Sequence, residues 1–109
     1  MTDAKILVID DNKSVLSALE ILLQFEYKGV QTLFNPNQIS SFPNLTEIDI
    51  VLLDMNFSAG VNTGNEGLYW LNEIKKQSPD TSVIMMTAYG AVDLAVKALK
   101  QGASDFILK

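Results

Sequence analysis

Five short apolar runs, separated by stretches with helical spacing, constrain this chain more than any other feature. The runs are Ile6 to Ile9, Val30 to Phe34, Ile50 to Leu53, Val83 to Met86 and Asp105 to Leu108. Each is strand-length, and four are almost continuously apolar, as expected of strands covered on both faces rather than one. Between them the apolar residues recur at three- and four-residue intervals, the mark of helices with one buried side. Strand and helix thus alternate along the whole length, which predicts a parallel sheet with helices on both faces. Right-handed crossovers leave few topologies for such a sheet, and its functional crevice lies at the carboxyl ends of the strands.

The first helix is expected to bury Val15, Leu16, Leu19, Leu22 and Leu23, with Asp11 or Asn12 capping its start. Gly29 is placed to allow the turn into the second strand. The stretch "NPNQISSFPNL" is at most a short, poorly defined helix, fenced by Pro36 and Pro43. Leu68, Leu71 and Ile74 mark a helix ending near Ser78-Pro79, on which Trp70 is expected to pack. Ala91 to Leu99 is an Ala-rich helix that Gly102 is placed to stop.

At 109 residues the chain can build one core and not two. Its net charge of −5 argues against unaided binding to nucleic acid or to an anionic membrane, because phosphate contacts need Lys and Arg. Cysteine and histidine are both absent. That excludes disulfides, Cys- or His-ligated metals, His-dependent hydrolase triads and any role as a histidine phosphodonor. No stretch reads as a signal peptide or approaches the ~20 apolar residues of a membrane span. The expected location is the cytoplasm.

Reading the residue at each strand's end is therefore the test of function. Strand one ends in Asp10-Asp11, strand three in Asp54, strand four in Thr87-Ala88 and strand five in Lys109. Three carboxylates, a hydroxyl and an ammonium thus converge on one rim. Carboxylates a few ångströms apart repel by several kcal/mol even at an effective dielectric near 20. Hard oxygen ligands suit Mg²⁺ better than zinc or copper. Such a metal, with Lys and Thr beside it, makes a site for a phosphoryl group.

The motifs "ILVIDDN", "VLLDMN", "MMTAYG" and "DFILK" resemble the receiver domains of bacterial two-component response regulators, over essentially the whole chain. The tract "TAYGAVDLAVKALKQGASDFILK" is most similar to receivers of enhancer-binding transcriptional activators. The resemblance implies a flavodoxin-like, doubly wound five-stranded parallel sheet of order 2-1-3-4-5. It implies Asp54 as phosphoacceptor, with Asp10, Asp11, Asp54 and the main-chain carbonyl of Asn56 holding Mg²⁺. Thr87 would be the switch hydroxyl, Phe106 the switch aromatic and Lys109 the partner of the phosphoryl oxygens. The implied partners are a sensor histidine kinase or phosphotransfer protein and a downstream effector domain, most simply a transcriptional one. In this reading the domain catalyses its own phosphorylation and dephosphorylation without being a conventional turnover enzyme.

Two departures from that family accompany the match. The stretch "MNFSAGVNTGNEG" lacks the usual proline after the phosphoacceptor and runs longer than usual before the next helix. Gly60 and Gly64 lie in it, and it is expected either to be a neutral insertion or to tune access to Asp54. The second departure is at the end, where a receiver continues with a proline and a fifth helix. Residues 1–109 therefore read as a receiver domain cut from a longer protein, with the fifth helix absent and part of one sheet face uncovered. Such a face favours homodimerisation, element swapping or marginal stability. Three rival readings stand beside this one. A phosphatase with an Asp-x-Asp nucleophile meets Asn56 where its general acid belongs. A flavin or nucleotide binder meets "DDNKS" where a phosphate loop belongs. A phosphorylation-independent pseudo-receiver would act as a protein-interaction module alone.

Overall fold

All five apolar runs form strands, and the strands lie parallel in one sheet of order β2-β1-β3-β4-β5. The computed structural model describes residues 2–43, 45–55, 65–87 and 92–108. Strand β1 spans Thr2–Ile9, β2 Tyr27–Leu33, β3 Ile50–Asp54, β4 Ser82–Thr87 and β5 Asp105–Leu108. Helix α1 spans Lys13–Gln24, α2 Asn65–Gln77 and α3 Val92–Lys100. The flavodoxin-like order expected from the resemblance is the order observed.

Strand alternation sends neighbouring residues to opposite faces, and each face has its own core. On one face Leu7, Ile9, Val51, Leu53, Val83 and Met85 pack with Leu71 and Ile74 of α2 and Ala98 of α3. On the other, Ile6, Val8, Leu52 and Met86 pack with Leu16 of α1. Each fully buried Leu or Ile contributes about 1.5–3 kcal/mol of hydrophobic stabilisation. The second core is the smaller, and α1 is the one helix on it among the described residues. Phe106 joins the first core half-buried, so Ile107, pointing the other way, is 43% exposed.

Three local expectations need correction. Leu22 is 64% exposed, not buried. Leu16, Leu19 and Leu23 face the sheet, and each residue turns the helix by about 100°, which carries Leu22 off that stripe. Gly29 does not form the turn before β2; Phe25 and Glu26 do, and Gly29 lies inside the strand opposite Lys5. A Cβ there would sit 3.2 Å from Lys5 Cγ, so close cross-strand packing is what the glycine permits. The segment between β2 and β3 folds as two 3-10 helices, Pro36–Ser41 and Leu45–Glu47. Asn35 caps the first through its side-chain oxygen, which accepts from Asn37 N at 2.9 Å. Ile39 and Leu45, from this polar-looking stretch, are core residues.

The rim where the strands begin is fastened by polar contacts. Asp49 accepts from Lys5 N through Oδ2 at 2.8 Å, donates its amide to Lys5 O at 2.9 Å, and receives Ser82 N on its carbonyl at 3.0 Å. The buried hydroxyl of Thr81 bonds Ser78 Oγ and donates to Ile48 O at 2.9 Å. Lys75 Nζ donates to the carbonyls of Pro79 and Thr81 at 2.9 and 2.8 Å. At the end of α3, Gly102 adopts φ 112°. Ala103 N donates to Ala98 O and Gly102 N to Leu99 O, the paired bonds of a Schellman C-cap.

Candidate functional site

Because β1, β3 and β4 are neighbours in register, the residues that end them meet. Ile9 pairs with Leu53, and Asp54 with Met86, so Asp10, Asp54 and Thr87 are delivered to one place on the carboxyl rim. One carboxylate oxygen from each of Asp10, Asp11 and Asp54 falls within 4.8 Å of the others. Asp10 is fully buried, Asp54 is 2% exposed and Asp11 is partly exposed, so the cluster opens to solvent on the Asp11 side. Thr87 is fully buried at the end of β4.

Backbone geometry aims these groups. Asp10 N donates to Leu33 O at 3.2 Å, which extends the β1–β2 ladder one residue past the strand. Asp10 Oδ1 accepts from Asn12 N at 2.9 Å, and Asn12 Oδ1 in turn accepts from Ser14 N and Val15 N at 2.9 and 3.3 Å. Of the two caps expected for α1, Asn12 is the one used. Beyond Asp54, Met55 N donates to Met86 O at 2.9 Å and Met55 O accepts from Gly67 N at 3.1 Å.

Three carboxylates this close repel one another, and a cation would offset that repulsion. Two carboxylates 4 to 5 Å apart repel by about 3–4 kcal/mol at an effective dielectric near 20. All three offer hard oxygen donors and the sequence holds neither Cys nor His, so the set fits a hard divalent cation such as Mg²⁺. Asp10, Asp11 and Asp54 are the residues that could hold it.

Asn56 and Lys109 lie outside the described residues, as do Ala88 and the connection containing Gly60 and Gly64. Trp70 is partly buried against the larger core, in edge-to-face contact with Tyr69 at 4.8 Å. Two features of the site were not evident from the sequence. One is the double role of Asn12. The other is the contact of Gly67 with Met55, twelve positions away; the resemblance marked a glycine opening the next helix but not what it touches.

Comparison with known proteins agrees with this geometry. The family model described as "Response regulator receiver domain" matches residues 6–109. Response regulator protein PilR of Pseudomonas aeruginosa is 33% identical over 109 residues, covering 100% of this chain and 23% of its own length. Transcriptional regulatory protein ZraR of Klebsiella oxytoca is 36% identical over 106 residues, covering 95% of this chain and 22% of its own. The crystal structure of the N-terminal signal receiver domain of a Bacteroides fragilis two-component response regulator superposes with a TM-score of 0.85. It is 45% identical and covers 99% of this chain and 85% of that one. The chain belongs to the response regulator receiver domain family. It spans less than a quarter of the length of these two curated relatives. Among the described residues, no helix is long and apolar enough to cross a membrane.

Proposed function

We propose that Asp54 accepts a phosphoryl group and that the resulting aspartyl phosphate is the signalling state of this domain. The observation that carries the reading is the meeting of Asp10, Asp11 and Asp54 within 4.8 Å at the end of adjacent strands, with Thr87 beside them on β4. An Asp54 carboxylate oxygen attacks phosphorus on a partner's phosphohistidine, or on a small acyl phosphate. The P–N or P–O bond breaks with its electron pair leaving on the donor, and a carboxyl–phosphate bond forms. Asp10, Asp11, Asp54 and the carbonyl of Asn56 would hold Mg²⁺, which supplies positive charge against the phosphoryl oxygens. Lys109 would pair with those oxygens. Thr87 would move to hydrogen-bond them, and Phe106 would repack into the space vacated, making a two-state element biased by a local change of charge. Attack by water on phosphorus breaks the carboxyl–phosphate bond, returning the Asp54 carboxylate and releasing inorganic phosphate.

Residues 1–109 are, in this reading, the receiver part of a longer cytoplasmic regulator. Its partners are a sensor histidine kinase or phosphotransfer protein and a transcriptional effector domain. Intact mass after incubation with acetyl phosphate and Mg²⁺ tests the proposal. A single Mg²⁺-dependent phosphoryl adduct that disappears in Asp54→Asn supports it. Folded native protein that gains no adduct counts against it and favours a phosphorylation-independent interaction module.

A further inference from the structure

Helix α2 touches the phosphoacceptor strand at one point where there is no room for a side chain. A Cβ placed on Gly67 would lie 2.5 Å from Met55 O, 2.7 Å from Met55 Cα and 2.9 Å from Met55 C. All three are backbone atoms, so no rotamer change at position 55 can relieve the overlap. Gly67 is buried, and its amide donates to Met55 O at 3.1 Å. Met55 N donates in turn to Met86 O at 2.9 Å, and Met86 directly precedes Thr87. The backbone of Met55, the residue after Asp54, is thus held from both sides, by β4 through its N–H and by α2 through its C=O.

We propose that Gly67 is a positioning residue for Asp54. Its missing side chain lets α2 seat directly on Met55, and that contact holds the Asp54 carboxylate in register with Asp10 and Asp11. A glycine inside a helix is less favourable than alanine, so its use in the first turn of α2 wants a compensating contact, and Met55 supplies it. The close approach also joins the two ends of the long connection, so that α2 returns to the site strand independently of how many residues lie between. The inference rests on the acidic cluster being a cation and phosphoryl site, as proposed above.

The experiment compares the native chain with Gly67→Ala and Gly102→Ala. A further variant replaces the Gly67 amide by an ester, which removes the donor without adding an atom. Gly102→Ala introduces backbone strain far from the site and serves as the control for destabilisation. Exchange of the Met55 amide is followed in metal-free protein, and Mg²⁺ alone is titrated by amide NMR shifts. Supporting contacts behind a metal ligand set affinity by about 10–100-fold, so Gly67→Ala is expected to weaken Mg²⁺ binding at least about tenfold. It should also speed Met55 amide exchange, while Gly102→Ala changes neither and lowers only the melting temperature. The ester variant decides the matter if Gly67→Ala does not fold. Mg²⁺ affinity and Met55 exchange within about twofold of native in the Gly67 variants would overturn the positioning role. A native chain that binds no Mg²⁺ would overturn the reading of the site itself, and the proposal with it.

Discussion

The amide of Asn12 donates to Asp10 Oδ1 at 2.9 Å while the side-chain oxygen of the same residue caps α1. One residue therefore starts a helix and orients a clustered carboxylate, but it does so with different atoms. Asn12→Ala removes only the cap. The expected result is a loss of about 1 kcal/mol of stability in thermal or urea unfolding, with Mg²⁺ binding close to native. Asn12→Pro removes the amide as well, and should weaken Mg²⁺ binding beyond its effect on stability.

Crowding of Asp10, Asp11 and Asp54 makes a second outcome measurable without any phosphodonor. Asp54→Asn deletes one negative charge from a cluster spanning 4.8 Å. The metal-free variant should melt several degrees above native, since about 1 kcal/mol moves the midpoint of a domain this size by roughly 4–8 °C. Adding Mg²⁺ should stabilise the native chain more than the variant, because a ligand that binds only the folded state raises its stability by mass action. Differential scanning calorimetry with and without Mg²⁺ reads both effects.

Ile39 offers a test of the fold where the sequence was least informative. It is fully buried although it sits in a 3-10 helix among Asn, Gln and Ser. Ile39→Ala should cost about 2–5 kcal/mol, as other large-to-small core changes do. Phe25, 77% exposed at the end of α1, should tolerate Phe25→Ser within about 0.5 kcal/mol.

Ile107 and the partly buried Ile84 lie on the sheet face that α1 covers incompletely. Self-association of this 109-residue chain at raised concentration is the expected consequence. Sedimentation velocity should show it, and Ile107→Lys should diminish it. A monodisperse monomer with a sharp, high-temperature unfolding transition would contradict the expectation.

Strands whose residues are apolar on both faces announce themselves, which is why four of the five followed from pattern; β2, with Gln31 and Thr32, was the weaker signal, and the order came from the resemblance. The acids at their ends were legible for the same reason, since a charge closing a buried run has to sit at a rim. What could not be read was set by three-dimensional contact. Leu22 obeys the helical spacing loosely enough to be assigned to the stripe, and only the seating of α1 on β1 excludes it. Gly29 looks like a turn glycine until Lys5 is known to lie across from it. Ile39 has no periodic partners, because its neighbours in the core come from other elements. Gly67 depends on a backbone approach between residues separated by the whole connection after Met55.

The fastening of the opposite rim bears on how such a domain can diversify. Asp49, Thr81 and Lys75 tie the starts of β1, β3 and β4 and the entry into β4 at a distance from the acids. Strand register thus has a second anchor, away from the acids. Segments leaving the other rim, after Asp10, Asp54 and Thr87, can gain or lose residues over generations while the strands that carry the acids keep their alignment. A change of length in the connection between Met55 and α2 would fall at the rim opposite these contacts.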